Sequence, residues 1–280
     1  MKQISTQKIT ETVRRLCIEA NISLPEDIRC ALDNAIQTEK GSTARGVIAD
    51  IIENYSRAEK LDMPICQDTG MACVFVEIGQ QVEIVDGLLA DAINEGVRQG
   101  YIDGYLRKSV VADPLDRVNT KDNTPAMITY DIVEGDSLII TVAPKGAGSE
   151  NMSRIAMLKP ADGVEGIKAF VLEAVEKAGP NPCPPIVVGV GIGGNFDKVA
   201  SLAKKALLRP IDKPNAKESY AKLEQELLQS INALGIGPQG FGGATTALGV
   251  NIEFAPTHIA QLPCAVNISC HVTRHKTAVL

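Results

Sequence analysis

Three cysteines sit in turn-forming sequence and lie far apart along the chain. They are Cys66 in Pro-Ile-Cys-Gln-Asp-Thr-Gly, Cys183 in Asn-Pro-Cys-Pro-Pro, and Cys270 in Ile-Ser-Cys-His-Val-Thr-Arg. Only a folded chain could bring them together. Three thiolates from three loops can hold an iron–sulfur cluster and leave one iron without a protein ligand. Such an iron is a Lewis acid with room for a substrate. Gln67, Asp68 and Thr69 follow the first cysteine directly, so an amide, a carboxylate and a hydroxyl would stand within one loop of that metal. Asp68 could there move a proton on a bound molecule. Gly70 lets the loop turn tightly, and the prolines around Cys183 stiffen its turn. At each position the plainer alternative is a cysteine used only for packing.

Other segments carry weaker signals. Arg274 could hold a carboxylate through its planar fork. Cys264, Cys270, His271 and His275 suggest zinc, but no Cys-x2-Cys half is present, which ranks zinc low. Glycines in Lys145–Asn151 would let backbone N–H groups approach an anion. Arg107, in Tyr-Leu-Arg-Lys-Ser, matters only if a dicarboxylate must be held; otherwise it belongs to a solvated face. Gly189-Val-Gly-Ile-Gly-Gly194 fits the dinucleotide pattern G-x-G-x-x-G after an apolar stretch. The acid expected about 20 residues further on is poorly met. A nucleotide-binding oxidoreductase is therefore a minority reading.

These groups must be positioned by regular elements. Ile9, Val13, Leu16 and Cys17 recur at helical spacing, and residues 5–60 read as three helices, the second opened by Pro25. Residues 72–78 read as a strand and 85–100 as a helix. Residues 126–132 and 137–143 read as a β-hairpin around Glu134-Gly135-Asp136. Residues 186–190 form a short apolar strand ending in glycines. Helices are expected over 167–178, 198–208 and 216–231, with strands over 247–253 and 262–268, the latter the last before Cys270. The expected class is α/β (mixed α+β), with mixed sheets flanked by helices. A single domain over 1–280 is expected, its first 60 residues helical.

Composition narrows the function. The 280 residues are 45% hydrophobic and 22% charged, which suits a globular fold with a sizeable core. The net charge of −6, with no Lys/Arg block, argues against nucleic acid and anionic membrane surfaces as partners. No apolar run reaches the roughly 18–20 residues of a membrane span, and the N-terminal segment lacks the apolar stretch of a signal peptide. Seven cysteines, an odd number in a chain of this length, predict a reducing cytoplasmic setting. Without tryptophan and with 4% aromatics, sugar- or base-stacking sites are not expected.

Taken together, the segments resemble the class I, iron–sulfur-dependent fumarate hydratases, in particular the alpha subunit of the two-subunit form, which is related to the alpha subunit of L-tartrate dehydratase. The resemblance runs through Cys-Gln-Asp-Thr-Gly (66–70), Leu-Arg-Lys-Ser-Val-Val-Ala-Asp-Pro (106–114), Lys-Gly-Ala-Gly-Ser-Glu-Asn (145–151), Cys-Pro-Pro (183–185), Gly-Pro-Gln-Gly (237–240), and His258 ahead of Ser269-Cys270. Ala147 departs from the family's glycine at that place. The resemblance implies that Cys66, Cys183 and Cys270 ligate a [4Fe–4S] cluster, and that Gln67, Asp68, Arg107 and the backbone at Gly146 bind a small dicarboxylate. It gives Asp68 a part in proton transfer and His258 a place among the catalytic residues. The implied reaction is the reversible dehydration of (S)-malate to fumarate, with tartrate dehydration the nearest alternative. A redox sensor that binds a cluster without a substrate is a further one. Single-chain members carry an additional C-terminal domain. The resemblance assigns its groups here to a separate beta subunit, in an α2β2 assembly, and implies little activity for the isolated chain.

Overall fold

The computed structural model describes residues 1–280. The strands are β1 (Lys2–Ser5), β2 (Met71–Gly79), β3 (Val82–Val85), β4 (Met127–Val133), β5 (Leu138–Lys145), β6 (Arg154–Leu158), β7 (Ile186–Gly194), β8 (Ala247–Thr257), β9 (Leu262–Ser269) and β10 (Lys276–Val279). The helices are α1 (Thr6–Ile22), α2 (Glu26–Thr38), α3 (Ser42–Lys60), α4 (Leu89–Asp103), the single turn α5 (Ala147–Glu150), α6 (Gly163–Ala178), α7 (Phe196–Ala206) and α8 (Glu218–Ala233). The class is α/β, as the patterning predicts. Two compact units form: Met1–Leu24, Tyr55–Ala147 and Arg274–Leu280 make the first, and Pro25–Asn54 with Gly148–Thr273 the second. The chain passes repeatedly from one to the other, which leaves no linker for composition to mark.

In the first unit a four-stranded sheet runs in the order β10-β5-β2-β4. Even-numbered residues of the two inner strands (Val74 and Val76 on β2, Ile140 and Val142 on β5) are buried with Ile9, Val13 and Leu16 of α1 and Ile93 and Val97 of α4. The helical spacing in α1 is thus the stripe that covers one sheet face. Ser5 caps the helix, its hydroxyl accepting from the Lys8 N–H at 3.3 Å.

Two expectations fail here. Strands β4 and β5 are not a hairpin: β2 lies between them, parallel to β4 and antiparallel to β5. Burial decides the order. β2 carries the more continuous apolar run and takes an inner place, while β4 exposes Met127, Tyr130 and Ile132 at the edge. The expected helix from Val85 begins only at Leu89, because Val82–Val85 pairs in parallel with Lys2–Ser5. That partner is remote in sequence and invisible to a local window. A further strand, β10, follows Cys270 and pairs with β5.

The second unit is built on a sheet of order β6-β9-β7-β8, with β7 parallel to β8 and antiparallel to β9. Val188, Val190 and Ile192 of β7 pack with α6 and α8, through residues such as Val171, Val175 and Leu227. The alternate positions, Gly189 and Gly191, face α7. A Cβ at Gly189 would stand 2.2 Å from the Ala203 carbonyl oxygen, and one at Gly191 2.2 Å from that of Val199. These glycines lie inside the strand, not in a loop ahead of a helix. The dinucleotide pattern is therefore a close-packing device, and the nucleotide reading loses its basis. Gly191→Ala is expected to cost at least roughly 1–3 kcal/mol of stability through overpacking. Urea unfolding checks this, and a wild-type midpoint would refute the account.

Candidate active site

In the first unit the segment from Cys66 to Gly70 joins α3 to β2. Its shape is imposed by buried polar groups. The buried Tyr101 hydroxyl lies 2.8 Å from the Thr69 carbonyl and 3.1 Å from that of Gly70, and donates to them. Burial pushes this phenol's pKa up, so it stays a neutral donor. The fully buried Asn123 donates to the Gly70 carbonyl at 3.2 Å. Its own amide oxygen accepts from the N–H groups of Ser109, at 2.7 Å, and Val110, at 3.3 Å. Thr69 Oγ1 donates to the Arg107 carbonyl at 3.2 Å. The Asp68 loop and the Arg107 loop are thus bound together, leaving the Arg107 side chain exposed.

Asp68 is half-buried and held on three sides. Its Oδ1 accepts from Gly70 N–H at 3.0 Å, its Oδ2 from Ala147 N–H at 2.9 Å, and its carbonyl from Arg274 Nη2 at 2.8 Å. A Cβ at Gly146 would lie 3.2 Å from Asp68 Oδ2, so glycine there keeps the carboxylate uncrowded. Gly70, at φ +71°, brings the loop against Lys145, where a Cβ would meet main-chain atoms at 2.6 Å. Each carboxylate oxygen retains lone-pair capacity for another donor. The structure therefore gathers Gln67, Asp68, Arg107 and Gly146 in one unit, with Cys66 on the same loop. Arg274 adds a role that its sequence position does not announce: it braces the Asp68 main chain.

The second unit holds Cys183 and Cys270. Cys183 lies in the turn before β7 and Cys270 directly after β9. These strands are antiparallel neighbours with Val187 opposite Ser269, so both cysteines lie at the same end of the sheet. The His271 ring links the two segments, with Nδ1 2.9 Å from the Cys183 carbonyl oxygen. His258 is placed elsewhere. It follows β8 in an exposed turn, its Nδ1 accepting from Ala260 N–H at 3.2 Å. β8 starts opposite Ile186 and ends opposite Gly194, so His258 lies at the other end of the sheet, roughly 26 Å away at about 3.3 Å per residue. Within this unit the fold does not bring His258 to the cysteines.

The Lys145–Asn151 segment divides between the units. Glu150, on its second half, pairs with Lys204 and accepts from Asn267 Nδ2 at 2.8 Å, anchoring α5 to α7 and β9. Within neither unit do three His, Cys, Asp or Glu side chains gather as a metal site.

The seven cysteines differ in their settings. Cys17, Cys73 and Cys264 are buried, and burial pushes the Cys17 and Cys264 thiols up to about 12. Cys30 is exposed but raised, by desolvation and then by Glu26 beside it. These settings oppose the thiolate that metal ligation requires. Cys66, Cys183 and Cys270 are the three that lie outside the core in loops. No helix is long and apolar enough to cross a membrane.

Residues 10–279 match the family model described as fumarate hydratase (Fumerase). A Methanocaldococcus jannaschii protein provisionally named L(+)-tartrate dehydratase subunit alpha is 46% identical over 273 residues, covering 95% of each chain. The L(+)-tartrate dehydratase subunit alpha of Escherichia coli O157:H7 is 34% identical over 283 residues, covering 100% of this chain and 93% of its own. That of Shigella boydii serotype 4 is 33% identical with the same coverage. The match spans both units and every loop described above, so the chain belongs to the fumarate hydratase (Fumerase) family of hydro-lyases.

Proposed function

We propose that this chain is the alpha subunit of an iron–sulfur hydro-lyase that interconverts (S)-malate and fumarate, with its site completed by a beta subunit in an α2β2 assembly. The observation that carries the reading is the fixed Asp68 carboxylate. It is held by Gly70 and Ala147 N–H groups beside a glycine at 146, in the loop that follows Cys66 and is tied to the Arg107 loop. The donor set fits a [4Fe–4S] cluster on Cys66, Cys183 and Cys270. They are the thiols that lie outside the core in loops, and cluster ligation needs thiolates at accessible positions. When bound, the cluster supplies Lewis acidity for a departing hydroxyl.

The chain's own residues do the rest. Dehydration breaks the C2–O bond, removes a proton from C3 and forms the C2=C3 bond. The Arg107 guanidinium, exposed at the head of its braced loop, pairs with a substrate carboxylate. Gln67, exposed beside Asp68, orients substrate through its amide, and the Gly146 main chain allows close approach. Asp68 takes part in moving the C3 proton, its position set by the N–H groups that hold it. The name "subunit alpha" borne by the relatives supports a partner that supplies further groups.

A second reading, L(+)-tartrate as substrate, is favoured by the relatives' names. It requires the same bond changes with one more hydroxyl to accommodate. Anaerobic reconstitution of the chain with its beta subunit, followed by parallel turnover assays, tests both. Higher kcat/KM for malate supports the first reading, and for tartrate the second. No turnover of either by a cluster-loaded complex overturns both. The isolated chain, cluster-loaded, is expected to show little turnover of either.

A further inference from the structure

The Gly-Pro-Gln-Gly segment at 237–240 and His271 have no part in the reading above, yet both bear on the Cys183 turn. That turn, Pro182-Cys183-Pro184-Pro185, has a single N–H among four residues, because proline has none. Cys183 N–H donates to the Pro180 carbonyl at 3.0 Å. Cys183 also has φ +56°, a left-handed conformation that a residue with a Cβ adopts at a cost. With one donor, such a turn can make only that one backbone N–H hydrogen bond of its own.

It is held from outside, by two residues that each contact one carbonyl twice. The Pro184 carbonyl accepts from Gln239 N–H at 2.8 Å and from Gln239 Nε2 at 2.7 Å. The Cys183 carbonyl accepts from His271 N–H at 3.5 Å and lies 2.9 Å from His271 Nδ1. A carbonyl can only accept, so Nδ1 carries the imidazole proton. The 3.3 Å approach of Gln239 Nε2 to that nitrogen is then a contact between two donors, each turned to its own carbonyl.

Gln239 is itself rigidly placed. It sits at φ +51° in a short 3-10 turn between Gly237 and Gly240, both at positive φ. A Cβ on Gly240 would stand 2.4 Å from Pro180 Cβ, so this turn lies directly against the cysteine segment. Gly237 N–H donates to Thr246 Oγ1 at 3.1 Å. Beyond it, the buried Glu39 carboxylate accepts from Ala244 at 2.8 Å and Thr245 at 3.2 Å. It also accepts from Lys40 at 3.0 Å and Gly41 at 3.3 Å. Desolvation opposes its charge, but these four N–H groups hold its pKa below the usual glutamate range. The glycine loop is therefore fastened to the end of α2.

We propose that Gln239 and His271 are positioning residues that form a clamp on the Cys183 turn and set the Cys183–Cys270 separation in the chain before any cluster enters. Because His271 follows Cys270 directly, its hold on the Cys183 carbonyl ties one cysteine segment to the other. The inference rests on the reading that Cys183 and Cys270 are cluster ligands. Preorganisation of this kind spares a metal site the ordering of its own ligands.

The test uses the full chain with Gln239→Met and His271→Leu, which remove the side-chain donors, and His271→Asn, whose amide can replace Nδ1–H. Two readouts are taken besides activity. One is the iron content and reduced-state EPR line shape after anaerobic reconstitution. The other is the alkylation rate of Cys183 in the cluster-free chain, by mass spectrometry, with the exposed Cys30 as internal reference. Gln239→Met and His271→Leu are expected to lower iron content, broaden the EPR signal and shift Cys183 alkylation by about two- to tenfold, the change produced by one lost hydrogen bond. Cys30 should be unaffected, and His271→Asn should restore wild-type values. Wild-type iron content, line shape and Cys183 alkylation in both loss variants would overturn the clamp. Should Gln239→Met fail to fold, the His271 pair, at a half-buried position, decides the matter alone. Cys183→Ala and Cys270→Ala separate the two levels. A cluster that survives them sinks the ligand reading, while alkylation of Cys183 in the cluster-free clamp variants still judges the clamp.

Discussion

Replacing Cys66, Cys183 or Cys270 by alanine, one at a time, is expected to abolish stable cluster assembly and all hydro-lyase turnover. The same change at Cys264 or Cys17 should leave the cluster intact and cost only stability. The contrast follows from their settings. Cys17 and Cys264 are buried thiols pushed up to about 12, which are protonated at neutral pH and contribute packing. Their replacement leaves a small cavity in a core that includes Leu16 or Val266. The three loop cysteines contribute little to either core, so their loss should scarcely move the thermal midpoint of the cluster-free chain. Iron and sulfide analysis after anaerobic reconstitution, with EPR of the reduced state, reads the first effect, and thermal unfolding reads the second. A full cluster in any one of the loop variants would mean that the ligand set is drawn from elsewhere.

The second large effect concerns Asp68. In the complex with the beta subunit, Asp68→Asn is expected to lower kcat by roughly 10²–10⁴-fold, the usual range for loss of a positioned proton-transfer group. The cluster EPR signal should remain. The substitution has a structural cost that can be anticipated. One carboxylate oxygen becomes an NH2 group facing either Gly70 N–H or Ala147 N–H, both of which now donate to Asp68. A modest loss of stability, of order 1–3 kcal/mol for a donor left unsatisfied, should accompany the change. Asp68→Glu keeps the charge but pushes the carboxylate towards Gly146, where a Cβ would already come within 3.2 Å of Oδ2. Steady-state kinetics alongside unfolding curves separates the two contributions. A kcat within tenfold of wild type for Asp68→Asn would remove Asp68 from the proton-transfer step.

Much of the fold is legible in the chain. Ile9, Val13 and Leu16 announce α1 and the face it buries. The alternation of valine and glycine in β7 marks a strand with two unlike faces, although it imitates a nucleotide loop until the packing of α7 is seen. The site is legible in part. Residue type and the family resemblance single out Cys66, Gln67, Asp68, Arg107 and Gly146 as candidates, and the fold gathers them in one unit. Tyr101 and Asn123 are not singled out. Nothing near them in sequence indicates that a phenol on α4 and an amide in a polar turn will meet the Gly70 carbonyl. Gln239 lies in a motif to which the sequence assigns no role, and the fold does not place His258, a candidate by resemblance alone, beside Cys183 and Cys270.

The chemical inventory is written in the chain: thiols in turn-forming sequence, the carboxylate beside Cys66, prolines that strip N–H groups from the Cys183 turn, and helices whose apolar stripes are local. Tertiary structure alone decided that β2 separates β4 from β5, that β10 returns to the first sheet, and that two remote residues share the carbonyls of the Cys183 turn. The division has a physical cause. Periodicity and capping depend on neighbours within a few residues, so they are written in any short window. Strand order and the partners of a buried carbonyl depend on which whole faces are removed from water together, and the groups that compete for those places lie anywhere along the chain.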